Sequence, residues 1–344
     1  LLKALKNRGH SVYLFSTKEG VDNTHPKDIF YIDKNKYVLN NEINIEKVIG
    51  APPDIIIFNG VYIPLYLKIT KWARKKGIPY IISPRSSLTE EALRQKKYKK
   101  RIGNLLGFGY MVKKASALHL LNESEQKQAN RWNKINFVAP NGIDVLNKEE
   151  SIEALEEKIN VKTSISFIGR LDINHKGLDV LLNAFKKRKE DMEFNHITLN
   201  LYGPSVNSSE QYISEFIRHS QIDNLVNLNA PVYGSEKEEV LNSTDIFIHT
   251  SRFEGLPMSV LEALSKGVPA LLTPGTNISE EVDRNQAGWE VPLDPDKIAL
   301  KILDIASKES IIKYKKNAIS FVKKNYSWDD IAGIHEKNYL SLID

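Results

Sequence analysis

Residues 246–273 read IFIHTSRFEGLPMSVLEALSKGVPALLT. The apolar run at 245–249 predicts a buried strand, 251–256 a loop, and 257–266 a helix that starts on Pro257 and stops at Gly267 before another strand at 270–273. In a parallel α/β sheet this order puts the loop at the carboxyl edge, where backbone N–H groups and the positive end of the helix dipole favour an anion. Glu254 sits in the loop and Glu262 about two turns later, so both can face one cleft. Two carboxylates would repel an anion unless they grip hydroxyl groups attached to it. A sugar nucleotide has that pattern, with hydroxyls on either side of a diphosphate. Taken as an isolated pair, the two also fit a plainer reading, a helix N-terminal carboxylate and an exposed helix charge.

The alternation continues outward in both directions. In the second half, strands are expected at 164–168, 198–202, 226–228 and 289–291 with helices between, and two helices at 309–325 and 328–342 close the chain. In the first half, strand candidates at 11–16, 28–32, 54–58, 80–83, 118–121 and 136–139 are interleaved with helical patterns at 63–76, 90–113 and 123–132. Both halves predict a doubly wound parallel sheet, hence an α/β protein of two Rossmann-like domains facing across a cleft. Pro140-Asn141-Gly142 breaks the pattern, and 148–158 is expected as a connecting helix. The predicted domains are residues 1–143 and 144–325, with 326–344 as a helix returning to the first.

Length suits about two domains. The chain does not begin with Met, and its opening LLKALKNRGHSVYLFS reads as the end of a helix followed by a strand, so a first strand is expected to precede it. No apolar run approaches the ~20 residues of a membrane helix. With no cysteine there is no disulfide framework and no thiolate metal site, which fits a cytoplasmic setting. Residues 1–145 hold 25 Lys and Arg against 12 Asp and Glu, whereas the remainder holds 23 against 31. Such asymmetry points to an anionic partner for the first half only. Much of the excess lies at 94–114, which contains Arg94, Lys96, Lys97, Lys99, Lys100, Arg101, Lys113 and Lys114 and no acidic residue. Tyr98, Ile102, Leu105 and Leu106 share one face of a helix drawn through it. Two readings stay open: attachment to an anionic membrane surface, or a solvated basic face whose apolar side enters the core.

A second polar loop reads Phe167-Ile-Gly-Arg-Leu-Asp-Ile-Asn-His-Lys-Gly177, a strand end followed by a helix start. Arg170 and Lys176 flank it, one a planar fork of donors and the other a compact charge, and together they can hold and neutralise a phosphate leaving group. The order F-x-G-R, K-G, then E-G with a second Glu eight positions on resembles the retaining GT-B-fold glycosyltransferases of family four (glycosyl transferases group 1). Pro140-Asn141-Gly142-Ile143-Asp144 and Tyr326-Ser327-Trp328 extend the resemblance over most of the chain.

The resemblance implies a GT-B-like fold and transfer of a sugar from a UDP- or GDP-sugar to a hydroxyl of a glycan or lipid-linked acceptor in cell-surface polysaccharide synthesis. Arg170 and Lys176 would bind the diphosphate, Glu254 the transferred sugar and Glu262 the ribose. Gly255 and Leu256 would offer backbone N–H groups, and the Gly169 and Gly203 loops and the main chain around Tyr233 would line the donor site. On the acceptor side, Arg85 in Ser83-Pro84-Arg85 stands where many relatives carry a histidine, and Asn59 occupies another strand end. The nucleotide sugar is a substrate, and neither cofactor nor metal is expected. Asp294-Pro-Asp296 has metal-binding spacing, but it precedes a helical pattern and suits capping better. Two alternatives are a non-catalytic sugar-nucleotide-binding subunit and a nucleic-acid-binding protein. The second leaves Glu254 and Glu262 unexplained and lacks an RNA-binding aromatic motif, so no nucleic-acid partner is expected.

Overall fold

The computed structural model describes residues 1–17, 30–39, 42–94, 96–144 and 162–343. The connecting helix expected at 148–158 lies outside them. Two units divide the chain, Leu1–Gly142 with Trp328–Asp344, and Ile143–Ser327.

In the first unit β1 (Tyr13–Phe15) pairs in parallel with β2 (Phe30–Ile32), and β3 (Val38–Leu39) pairs antiparallel with β4 (Glu42–Ile43). The main sheet is parallel, in the order β5 (Ile56–Asn59), β6 (Tyr80–Ser83), β7 (Ala117–Leu120) and β8 (Asn136–Val138). Every residue of β6 and β7 is buried, as expected for parallel strands covered on both faces. The closing helix Trp328–Leu340 belongs to this unit, where Ala332 and Tyr339 pack with Leu5, Ile81, Ala117 and Phe137. Its Glu336 accepts hydrogen bonds from Arg8 at 2.6 and 2.8 Å.

The helix predicted over 90–113 is instead broken into Glu90–Arg94, Lys97–Gly103, a π-helical turn Asn104–Phe108 and Gly109–Lys113. Two backbone positions depart from helical geometry: Lys96, at φ 52°, precedes the second piece, and Gly107, at φ 129°, lies where no helix continues and few side chains go. The break turns the apolar face outward rather than into the core. Tyr98 is 80 % exposed, Ile102 57 %, Leu105 82 % and Leu106 74 %.

The second unit contains β9 (Thr163–Ile168), β10 (Ile197–Tyr202), β11 (Val226–Asn229), β12 (Ile246–His249), β13 (Ala270–Leu272) and β14 (Gly288–Glu290). They form one parallel sheet in the order β11-β10-β9-β12-β13-β14. Ile246 and Ile248 enter one core cluster and Phe247 the other, the alternation that covers a strand on both faces. After β12 the helix Met258–Ser265 follows Pro257, which is its N-cap rather than its first residue. Strand order reverses between β9 and β12. The loops that follow those two strands therefore open onto the crevice where parallel α/β sheets hold their ligands.

Candidate active site

Close backbone packing brings the loops after β9, β10 and β12 together at this carboxyl edge. A Cβ on Gly203, at φ 150°, would lie 1.8 Å from the Gly169 carbonyl oxygen, and one on Gly177, at φ 63°, would lie 2.1 Å from that of Thr250. Neither approach leaves room for a side chain. Gly169 N–H donates to Tyr202 and Leu171 N–H to Pro204, so the β9 loop is tied to the Gly203-Pro204 loop. Arg252 ties it to the β12 loop, donating to the Asn174 carbonyl at 2.6 Å and forking onto Asp179 at 2.8 and 2.9 Å. His175 Nε2 donates to the Phe253 carbonyl at 2.7 Å, which makes it a loop fastener.

Inside this frame Lys176 and Glu254 form an ion pair, with side chains 9 % and 12 % exposed. Ser251 Oγ donates to the same carboxylate oxygen, Oε1, at 2.8 Å, and His249 Nε2 lies 3.2 Å from it. Burial pushes the Glu254 carboxyl up, but the His249 hydrogen bond and the Lys176 charge outweigh burial and hold it well below the usual carboxylate range. His249 is itself 1 % exposed, and burial depresses its basicity, with the Lys176 ammonium adding to the effect against the Glu254 hydrogen bond.

Arg170, Glu262, Leu256 and Tyr233 have other surroundings. Arg170 is exposed and, among the described residues, pairs with no carboxylate. Glu262 pairs with Lys237, which stands on the helix Gly234–Asn242 after β11. The two carboxylates thus take separate lysines instead of sharing one. Leu256 is half-buried against Phe247 and its neighbours, and Tyr233, 67 % exposed, is the N-cap of the Lys237 helix. In the first unit Arg85 bonds to both Asn141 and Asn59, the latter at 3.3 Å, which joins the two predicted acceptor-side residues to the Pro-Asn-Gly motif. Asp294 is a helix cap, accepting from the N–H groups of Asp296 and Lys297 at 3.0 Å each. Among the described residues, no group of three or more His, Asp or Glu is arranged to hold a metal.

Sequence reasoning missed His249, Ser251, Arg252 and Lys237. Ser251 stands three residues before Glu254 and could have been read as a local partner; the others act over 25 residues or more or from within an apolar strand.

Comparison with known proteins bears on the readings left open by this geometry. Residues 162–308 match the glycosyl transferases group 1. The group 1 match covers β9 through the helix after β14 and contains Arg170, Lys176, Glu254 and Glu262. An uncharacterized glycosyltransferase of Methanocaldococcus jannaschii is 27 % identical over 188 residues, 52 % of this chain and 47 % of that protein. WcaL of Escherichia coli, whose name carries a provisional assignment as a colanic acid biosynthesis glycosyltransferase, is 28 % identical over 124 residues, 34 % of this chain and 29 % of WcaL. The matched stretches thus span less than half of these curated relatives. Among solved structures, a glycosyltransferase from Rickettsia africae superposes with a TM-score of 0.73 at 18 % identity, covering 100 % of this chain and 93 % of that one. Anabaena HepE in complex with UDP and glucose gives 0.65 at 17 % identity, covering 84 % and 78 %. The α/β fold with parallel sheets is that of the GT-B glycosyltransferases.

Proposed function

We propose that this chain is a retaining, metal-independent glycosyltransferase that moves a sugar from a nucleoside diphosphate donor to a hydroxyl of a glycan in cell-surface polysaccharide synthesis. The observation that carries the reading is the buried Lys176–Glu254 pair at the strand-order reversal, with exposed Arg170 on the same loop. Arg170 and Lys176 take the diphosphate oxygens, Glu254 the sugar hydroxyls and Glu262 the ribose. Gly255 and Leu256 offer backbone N–H groups, and Gly169, Gly203 and Tyr233 line the donor. Asn59 and Arg85 serve the acceptor.

The bond between the anomeric carbon and the phosphate oxygen breaks with its electron pair passing to the diphosphate, where Arg170 and Lys176 meet the growing negative charge. The acceptor oxygen attacks from the face the leaving group vacates and keeps the anomeric configuration. Its proton passes to a phosphate oxygen. The UDP in the HepE structure makes UDP-sugars the first donors to test. Incubation with UDP- and GDP-sugars in EDTA should release nucleoside diphosphate, and Arg170→Ala or Glu262→Ala should slow release about 100-fold. Full turnover by both variants overturns the reading.

The basic segment supports attachment to the cytoplasmic face of an anionic membrane, where a lipid-linked acceptor resides. Tyr98, Ile102, Leu105, Leu106 and Tyr110 are all more than half exposed beside exposed Lys96, Lys97, Lys99 and Arg101. Apolar side chains enter the headgroup boundary while the lysines meet anionic lipid. No helix among the described residues is long and apolar enough to cross a membrane. The chain should sediment with phosphatidylglycerol vesicles, and loss of that binding in the charge-neutral Leu105→Ser/Leu106→Ser variant distinguishes insertion from charge attraction alone.

A further inference from the structure

His249 stands at the centre of this cluster, and neither the motifs nor the proposed roles use it. It ends β12 with its ring stacked against Phe167 at 5.2 Å and 14°, and against Phe247 at 6.2 Å and 12°. Two aromatic neighbours fix the plane of the imidazole. Its Nε2 is 3.2 Å from Glu254 Oε1 and 3.5 Å from Lys176 Nζ, while its Nδ1 is buried without a hydrogen-bond partner. A purely structural residue at this point would be a third apolar ring, which would pack as well and leave no orphaned nitrogen. A carboxylate only accepts, so the Glu254 contact requires Nε2 to carry the proton and leaves Nδ1 with the lone pair.

Three donors, Lys176, Ser251 and His249, converge on Glu254 Oε1, and among the described residues none bonds to Oε2. The charge of Lys176 is therefore paired with Glu254. An ammonium that shares its N–H groups with phosphate holds Glu254 less tightly, and Ser251 and His249 are then the donors that keep the carboxylate's direction.

We infer that His249 is a positioning residue that holds Glu254 Oε1 in place when Lys176 turns to the donor phosphate, leaving Oε2 aimed at a hydroxyl of the transferred sugar. The inference rests on the glycosyltransferase reading and extends it. Lys176 and Glu254 neutralise each other, the diphosphate draws the ammonium toward itself, and the imidazole N–H remains as an anchor together with the Ser251 hydroxyl. Because the ring stacks with Phe167 and Phe247, this anchor is held independently of the lysine.

The test compares two amides. In His249→Gln the side-chain amide nitrogen can reach the place of Nε2, whereas in His249→Asn it falls near Nδ1 and cannot reach Glu254. Both variants are made in the full chain, checked for folding by thermal melt, and assayed for nucleoside diphosphate release with donor KM and kcat measured separately. His249→Gln should keep kcat within about threefold of the parent, and His249→Asn should lose on the order of 30-fold in kcat with donor KM changed by less than about threefold, since Glu254 grips the reacting sugar and not the nucleotide. Equal kcat in His249→Asn and the parent, or equal losses in the two amides, overturns the inference. The parent enzyme serves as the control for the underlying reading: if it releases no nucleoside diphosphate from any sugar nucleotide, the assignment of activity fails first and takes this role with it.

Discussion

His119 in the first unit and His249 in the second have almost the same setting. Each stands near the carboxyl end of a buried parallel strand, 3 % and 1 % exposed, and burial is the largest cause holding each in its neutral form. They differ in what the ring touches. His119 Nε2 donates to the Ala139 carbonyl at 2.7 Å, a fixed acceptor that cannot titrate, and its ring edges against His335. His249 faces a carboxylate and an ammonium, both of which can exchange partners for a ligand. Desolvation alone therefore does not mark a functional site. The distinguishing feature is a neighbour whose charge something else can claim.

The most severe break of this comparison is Lys176→Met. It leaves the buried Glu254 carboxylate with only Ser251 and His249 as donors, and removing one member of a buried pair costs about 3 kcal/mol. Transfer should fall by at least about 100-fold, because the leaving diphosphate loses its nearest cation. Chemical denaturation and initial rates measure the two separately. Should the variant fold and turn over like the parent, the second cluster is as structural as the first.

How much of this was legible in the sequence depends on the distance over which each feature acts. The strand and helix alternation is local and periodic, so the six strands of the second unit fall within a residue or two of where the pattern put them. Glu254 and Lys176 were visible as motif members. Their mutual ion pair joins positions 78 apart and was not visible. His249 was hidden because IFIH satisfies the pattern of a buried strand whatever its last ring does. At 98–106 the helical wheel identified an apolar face but could not say which way it points. The backbone departs from the helix at Lys96 and again at Gly107, and no wheel contains those breaks.

A smaller effect sharpens the contrast from the other side, through acid. His119 is held down to about 4, by burial first and with Arg85 adding to it, and His335 to about 3, by burial, then by His119 and Arg85. Each folded value lies below the ordinary value of about 6.5, so the folded state binds fewer protons than the unfolded one. The resulting stability is complete above pH 6.5 or so and is lost as pH falls toward the folded values, roughly pH 4 and below. For His119 the shift corresponds to about 3 kcal/mol. The cluster joins β7 to the closing helix, where His335 Nδ1 also meets the Tyr339 hydroxyl at 2.9 Å. Acid should therefore release the Trp328–Leu340 helix first. Tryptophan fluorescence and urea melts between pH 7 and pH 4 should show that loss, and His119→Gln, which keeps a donor for Ala139 without a titrating ring, should flatten the pH dependence. If the variant's stability falls with acid as steeply as the parent's, the acid-sensitive groups lie elsewhere and the contrast between the two histidines rests on the second unit alone.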